Sequence, residues 1–357
     1  MATRDGCRSP KDIWIGEIRT PQPFRDSTGE VFVKCRSWWA TDLEPGITLD
    51  FRETSIPEPA TGEIRLRVHA ASLNRGELLQ RPSHAKAGEA RRLGVDAAGE
   101  VEAVGPGHGE WNIGDRVMLA GRGAFSEYMI ADARQAMRIP PNLGWAEAAA
   151  VPVTMLTAYD ILCNEGHLAR DEWVLVTAVS SGVGVACLQM SKLLGARVIG
   201  TSGSPDKLGR LRALGLDVAL ATHGADIRSA VDAATDGHGI DLAVNNVGGT
   251  MFAACMDCLA FQGKLATVGY LDGSVRAPID LGALHRKRLR LFGVSARMQS
   301  ASERAQLVSG FIKDILPALA DARIRPIVDK VFSFEDLPKA KAHLEAGAHL
   351  GKIVIAL

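Results

Sequence analysis

Neither sign of charge is in excess in this chain: lysine plus arginine and aspartate plus glutamate both number 41. Without a basic balance, nucleic acid and anionic membranes are not expected partners. No apolar run approaches the ~20 residues needed to span a bilayer. The start, Met1-Ala-Thr-Arg-Asp-Gly-Cys-Arg8, has no apolar core, so no secretory signal is read and cytoplasmic residence is expected. Six cysteines in 357 residues are too few for a disulfide scaffold. Cys255-Met-Asp-Cys258 has the short spacing of a metal or redox pair, but no second pair or spaced histidine accompanies it. Two core thiols are the expectation. The nine histidines are scattered, and His108, His238 and His349 read as solvated loop residues. Tyrosine is rare: Tyr128, Tyr159 and Tyr270 are the only three.

What is present is organised around one stretch. Val174 to Thr177 is a short β-branched run, as a buried parallel strand requires. Ser180 to Gly184 is a turn of small residues. Val185 to Leu194 carries apolar residues at helical spacing, and Gly195 stops it as a C′ glycine does. Arg197 to Thr201 is a second strand. Such a unit points backbone N–H groups and a helix dipole at whatever lies above the turn, which favours a phosphate. Against the fingerprint G-x-G-x-x-G, Val179 and Ser181 replace the first two glycines and Gly184 keeps the last.

The rest of the chain divides around this unit. Residues 1–30, rich in Pro, Arg, Asp and Ser, read as an extension, disordered or draped over the first domain. From Val31 to about Leu143 the pattern is β-rich with Gly and Pro turns, as in a small barrel. Strands are predicted at 63–70, 98–104 and 115–119. After helical segments broken at Pro152, strands are predicted at 217–221, 241–247, 264–270 and 290–296, alternating with helices at 204–214 and 251–261. Six strands with intervening helices make a doubly wound parallel sheet. The tail, 325–332 and 351–357, returns to strand character and is expected to rejoin the first domain. The division expected is 1–30; 31–154 with 300–357; and 155–299.

Several short motifs occur in a telling order: Ala71-Ser-Leu-Asn-Arg-Gly-Glu77, Gly94-Val-Asp-Ala-Ala-Gly-Glu-Val101, Gly114-Asp-Arg-Val117, Phe125-Ser-Glu-Tyr128, Leu156-Thr-Ala-Tyr159, Gly182-Val-Gly184, Asn246-Val-Gly-Gly249 and Gly351-Lys-Ile-Val354. In these the chain resembles the medium-chain dehydrogenase/reductase superfamily from about Val31 to Leu357, and most of all its zinc-free quinone oxidoreductase and enoyl reductase branch. The resemblance implies an α/β protein made of a GroES-like β-barrel and a Rossmann doubly wound parallel sheet, with a nicotinamide in the cleft between them. Residues implied for the cofactor are Asn74, Thr157, Ser181, Gly182, Val183, Gly184, Ser202, Gly203, Lys207, His223, Asn246, Val247, Gly248, Val268, Gly269, Tyr270, Val294 and Ser295. A homodimer is also implied, through the edge strand beginning at Arg290.

Zinc-dependent relatives need converging Cys, His and Glu ligands. Their positions fall here at Leu73-Asn74, Val95-Asp96 and Val153-Thr154, so no metal is expected. The second strand ends at Ser202 with no carboxylate for a ribose 2′-OH, and Lys207 follows in the next helical turn. NADPH is the expected cofactor, with Ser202, Gly203 and Lys207 at the 2′-phosphate; a solvated helix charge is the lesser alternative for Lys207. Ser204-Pro205-Asp206 reads as an N-cap, a first-turn proline and a first-turn acid. His223 stands where relatives cover the adenosine with a tyrosine. Asn74 matches a residue that hydrogen-bonds near the nicotinamide ribose, or is a plain Asn turn. Enoyl-thioester reductases of the superfamily carry a tyrosine proton donor shortly after that Asn, and residues 78–94 contain none. Glu77 and His84 are the titratable residues nearby, and each also reads as an exposed side chain. The reading is therefore a zinc-independent NADPH oxidoreductase acting on a small molecule, a quinone, with Asn74 and His84 as catalytic candidates. The alternatives are C=C reduction of an enone or enoyl thioester, with a proton from His84 or water, and a non-catalytic NADPH-binding protein.

Overall fold

The computed structural model describes residues 23–25, 31–43, 46–78, 89–107, 109–222, 224–296 and 298–357. Its largest apolar core is built on a six-stranded sheet. In space the strands run Val218–Ala221, Arg197–Ser202, Trp173–Val176, Ile240–Asn245, Leu259–Thr267 and Arg290–Gly293, every neighbouring pair parallel. Trp173–Val176 is buried along its whole length, as a central strand covered on both faces must be. The chain leaves it in one direction and later returns on its other side at Ile240–Asn245. That reversal opens a crevice at the carboxyl ends of the strands.

Two sequence expectations shift here. The helix expected through Phe261 spans Gly249–Cys258, and the next strand starts at Leu259. Leu259 and Ala260 are buried while Phe261 is 62% exposed, so Phe261 does not belong to the apolar helix face that the spacing implied. The strand expected over 290–296 closes at Gly293, although Val294 N–H still donates to Thr267 O.

A second, seven-stranded sheet runs Val328–Ser333, Lys352–Ala356, Glu63–Ser72, Asp96–Val104, Arg116–Ala120 and Met137–Arg138, with Tyr128–Asp132 also on Glu63–Ser72. The tail strand Lys352–Ala356 lies antiparallel to Glu63–Ser72. A third sheet pairs Val31–Leu43 with Gly46–Pro57, Ala90–Arg92 and Pro23–Arg25. Pro23–Arg25 is thus a paired strand rather than part of a draped extension. The remainder of residues 1–30 lies outside the described residues. Trp38 fastens this sheet down: its N–H donates to Phe125 O and its Nε1–H to Phe334 O, both at 2.8 Å.

The seam between the parallel sheet and the seven-stranded sheet positions the site. Ser181 and Gly351 form a parallel bridge, with Gly351 N–H donating to Ser180 O at 3.0 Å. A narrow cavity at the seam is lined by Thr154, Gly182, Gln189, Pro326 and Lys352. No helix among the described residues is long and apolar enough to cross a membrane.

Candidate active site

Gly182–Leu193 is a 12-residue helix whose N-terminus opens on the crevice. Ser181 caps it, its Oγ accepting from Gly184 N–H at 3.1 Å. This removes Gly184 from the phosphate donors expected there. Gly182 and Val183, in the first turn, keep N–H groups with no intrahelical acceptor. Gly184 has a packing reason instead: a Cβ there would lie 2.5 Å from Ala178 O, so only glycine lets helix and strand approach this closely. The turn also holds Ala178 at φ 47°.

The strand Arg197–Ser202 ends in hydroxyls already engaged. Ser202 is 7% exposed, and its Oγ contacts Ser180 Oγ and accepts from Ser204 N–H, both at 3.3 Å. Ser204 is the N-cap of Pro205–Arg212, as the sequence predicts. Lys207 is not a solvated helix charge: its Nζ donates to Gly347 O at 2.7 Å, reaching across the seam. Burial lowers the Lys207 pKa, with Asp329 opposing and Arg210 assisting. Beside it His349, read from the sequence as solvated, is half-buried with Nδ1 unpartnered. Burial, then Lys207 and Arg75, push its pKa down to about 4. His84, His108 and His223 lie outside the described residues.

The turn after Ile240–Asn245 is built by Asn245, which the sequence reading missed. Its buried Oδ1 accepts from Val247 N–H and Gly248 N–H at 3.1 Å, and its Nδ2 donates to Gly248 O at 2.8 Å. Asn246, expected on the cofactor, spends its Nδ2 on Thr177 O at 2.9 Å. Gly248 sits at φ 123°, where a Cβ would strike Asp272 Oδ1 at 2.2 Å. Asp272 in turn accepts from Thr250 and Ser274. A carboxamide directly before Asn-Val-Gly-Gly is ordinary Asx-turn chemistry and was a usable signal. Val268 N–H donates to Asn245 O, so Val268, Gly269 and the 39%-exposed Tyr270 follow at the same strand end, with Val294 and Ser295 just past the end of the neighbouring strand Arg290–Gly293. Thr157 lies on the helix Pro152–Tyr159.

Facing the glycine turn is a cluster of buried polar groups. Asp96 is fully buried and is met by four donors: Ser72 Oγ at 2.9 Å, Asn74 Nδ2 at 3.0 Å, Lys352 Nζ at 3.0 Å and Val153 N–H at 2.7 Å. The Lys352 side chain is 6% exposed, and its Nζ also donates to Leu73 O at 2.9 Å and Asn74 Oδ1 at 2.6 Å. The three segments where zinc-dependent relatives carry ligands, 73–74, 95–96 and 153–154, thus converge on an Asp96–Lys352 ion pair. Among the described residues no three His, Cys, Asp or Glu side chains gather as a metal site. Cys255 and Cys258 are buried core thiols, the latter pushed up to about 11 by burial.

Asn74 is clamped inside this cluster. Its Nδ2 donates to both Asp96 and Glu77 Oε1, the latter at 3.1 Å, so both amide hydrogens are used. Only a second lone pair on Oδ1 remains for a ligand. Glu77, read from the sequence as a titratable candidate or else an exposed side chain, has its carboxylate shut in. Oε1 accepts from Asn74 N–H at 2.9 Å, while Oε2 is closed off from solvent without a partner. Burial, then repulsion from Asp96, push its pKa from 4.5 up to about 7, against Lys352 and Asn74. The sequence placed Asp96 and Lys352 in motifs without roles. A lone charge within an otherwise apolar strand was the signal.

Comparison with known proteins agrees with this geometry. Residues 60–141 match the family model for the alcohol dehydrogenase GroES-like domain, and residues 182–312 that for zinc-binding dehydrogenase. The reducing polyketide synthase PKS1 of Cochliobolus heterostrophus is 29% identical over 300 residues, 82% of this chain. Those residues make up 12% of that synthase, so the chain spans only a small part of the curated relatives it matches. Two solved mycobacterial structures each cover 90% of this chain at 26% identity and are covered over 100% of their own length. One is Rv1454c complexed with NADPH, TM-score 0.81; the other is described as a quinone oxidoreductase, TM-score 0.78.

Proposed function

We propose, on the premise that the chain belongs to the medium-chain dehydrogenase/reductase superfamily and to its zinc-free branch, that it is an NADPH-dependent reductase of conjugated carbonyl compounds, quinones first. One observation carries the reading: the ammonium of Lys352 occupies the convergence of the ligand-bearing segments and is spent on three protein oxygens. A zinc enzyme activates its substrate oxygen through an open coordination position. Neither the donor set here nor the lysine provides one. Quinones and enones need no Lewis acid of that kind, because conjugation spreads the charge that arrives with the hydride. The relationship to a reducing polyketide synthase favours a second reading, reduction of an enoyl thioester.

The residues present fit the cofactor. Gly182 and Val183 offer N–H groups at a helix N-terminus for the diphosphate. Asn74 Oδ1 has a lone pair for a ribose hydroxyl. The turns at Asn246–Gly248 and Val268–Tyr270 border the nicotinamide half. Lys207 takes the 2′-phosphate by releasing Gly347 O, since a phosphate outcompetes a neutral carbonyl for an ammonium. The reduced nicotinamide supplies the hydride; the protein supplies position and electrostatics.

The test is NADPH oxidation measured across quinones, enones and enoyl thioesters, with NADH in parallel. Turnover of quinones supports the first reading, and turnover of thioesters alone supports the second. NADPH binding without oxidation of any acceptor supports a non-catalytic binding protein. Lys207→Ala is expected to weaken NADPH binding about ten- to a hundredfold and leave NADH nearly unchanged, because a charge-assisted phosphate contact is worth ~1.5–3 kcal/mol. Equal affinity of the unaltered protein for both cofactors overturns the NADPH assignment.

A further inference from the structure

We propose that Glu77 is the proton store of this site: it holds a proton while the bound nicotinamide is reduced and releases it when the ring becomes cationic. The inference rests on the cofactor placement proposed above and deepens it.

Three observations lead there. First, the two carboxylates of the cluster are unequally served. Asp96 is met by four donors, including an ammonium. Glu77 Oε2 is shut off from solvent with no partner. An ionised oxygen left without a donor is costly, so a proton brought to this pair goes to Glu77. Second, both acids share one donor, Asn74 Nδ2, so the negative charges sit side by side and discourage joint ionisation. The pKa near 7 given above agrees. Third, the cluster lies against the phosphate turn. A Cβ on Gly182 would touch Lys352 Cδ at 2.9 Å, and that lysine runs on to Asn74.

Among the described residues, the charged groups facing Glu77 are few. Asp96 and Lys352 belong to the cluster. The Arg91 guanidinium donates to the Glu77 backbone carbonyl at 3.0 Å, and Arg75 is turned away onto Leu344 O at 3.1 Å. The net charge of Asp96, Lys352 and Glu77 is therefore zero with Glu77 protonated and one negative with it ionised. A reduced nicotinamide is neutral and an oxidised one is cationic, so oxidation favours the ionised state. The accounting closes: with NADPH bound there as hydride donor, Glu77 would give up one H+ as the nicotinamide charge appeared, and the reduced acceptor anion would take up one H+. Glu77 is recharged from solvent when NADPH replaces NADP+.

The experiment is binding, not turnover. Dissociation constants of NADP+ and NADPH are measured between pH 5.5 and 8.5 for the unaltered protein and for Glu77→Gln. Both cofactors carry the same 2′-phosphate, so its titration cancels in their ratio. The unaltered protein is expected to bind NADP+ more tightly as pH rises towards 7, by up to about tenfold per unit, relative to NADPH. Calorimetry in buffers of different ionisation enthalpy is expected to show proton release on NADP+ binding at pH 6.5. Glu77→Gln is expected to abolish both effects. Parallel profiles for the two cofactors in the unaltered protein overturn the proposal, whether or not the variant folds. A pH dependence that survives in folded Glu77→Gln also overturns it. Failure to bind either cofactor overturns the dinucleotide reading itself, and this inference with it.

Discussion

Lys352 is held by charge in a place where charge is expensive. Asp96 and Lys352 are 0% and 6% exposed, and each is the other's counter-ion. Removing one partner of a buried pair leaves the other uncompensated, at a cost of about 3–5 kcal/mol. Lys352→Met is expected to lower unfolding stability by about that amount in guanidinium titrations, and Lys352→Met with Asp96→Asn by less than the two single changes added together. Additive losses would mean that the two side chains do not act as a pair. Glu77 makes an opposite prediction. Its folded pKa, about 7, lies above its ordinary 4.5. Its contribution is therefore fully present below about pH 4.5 and is lost as pH rises through about 7. Glu77→Gln removes that slope. The variant is expected to be more stable than the unaltered protein at pH 8, by about 1–3 kcal/mol, with the difference shrinking towards pH 5. Identical pH profiles of stability would refute the burial of this acid. Neither role was legible in the sequence. Asn74, Glu77, Asp96 and Lys352 are spread over 279 positions, and only folding brings them within hydrogen-bond reach.

At the scale of elements, the turn from Trp173–Val176 into Gly182–Leu193 makes its glycines unequal. A Cβ on Gly184 meets backbone: Ala178 O at 2.5 Å and Val179 Cα at 2.7 Å. Backbone cannot step aside, so Gly184→Ala must push the helix off its strand. A loss of about 1–3 kcal/mol is expected, with weaker dinucleotide binding. A Cβ on Gly182 meets only side chains, Lys352 Cδ and Thr154 Cγ2 at 2.9 Å. Gly182→Ala is expected to cost less stability, measured by the same denaturant titrations. A larger loss for Gly182→Ala would show that the turn does not hold the helix as described. The strand–turn–helix character of this unit was readable because short β-branched runs and small-residue turns are local properties. The division of labour among its small residues was not. Ser181 stands where the fingerprint has glycine, and its hydroxyl uses the Gly184 N–H itself.

On the scale of the whole molecule, Arg290–Gly293 ends the six-stranded sheet. An edge strand left open invites pairing, and a two-fold partner strand covers it. Nearby segments expose Leu271, Val275 and Leu281, the last two at 71%. Clustered apolar exposure of this kind marks contact surfaces. A homodimer through this edge is expected, with light scattering at micromolar concentration giving twice the chain mass. A monomer there would refute it.

The sequence by itself determined the order of elements, the six-stranded parallel sheet, the glycine turn and the missing ligand residues at 73–74, 95–96 and 153–154. The first three follow from local periodicity and from the chemistry of single side chains, and the last from the motifs in which the chain resembles its superfamily. Tertiary structure alone decided what became of the polar groups. It put Lys352 among the segments that bear ligands in zinc enzymes, closed off Glu77, tied Lys207 to Gly347 and used both amide hydrogens of Asn74. The reason is physical. An apolar side chain is buried wherever its face points inward, which spacing reveals. A polar side chain is tolerated inside only where specific partners meet it, and those partners come from distant parts of the chain.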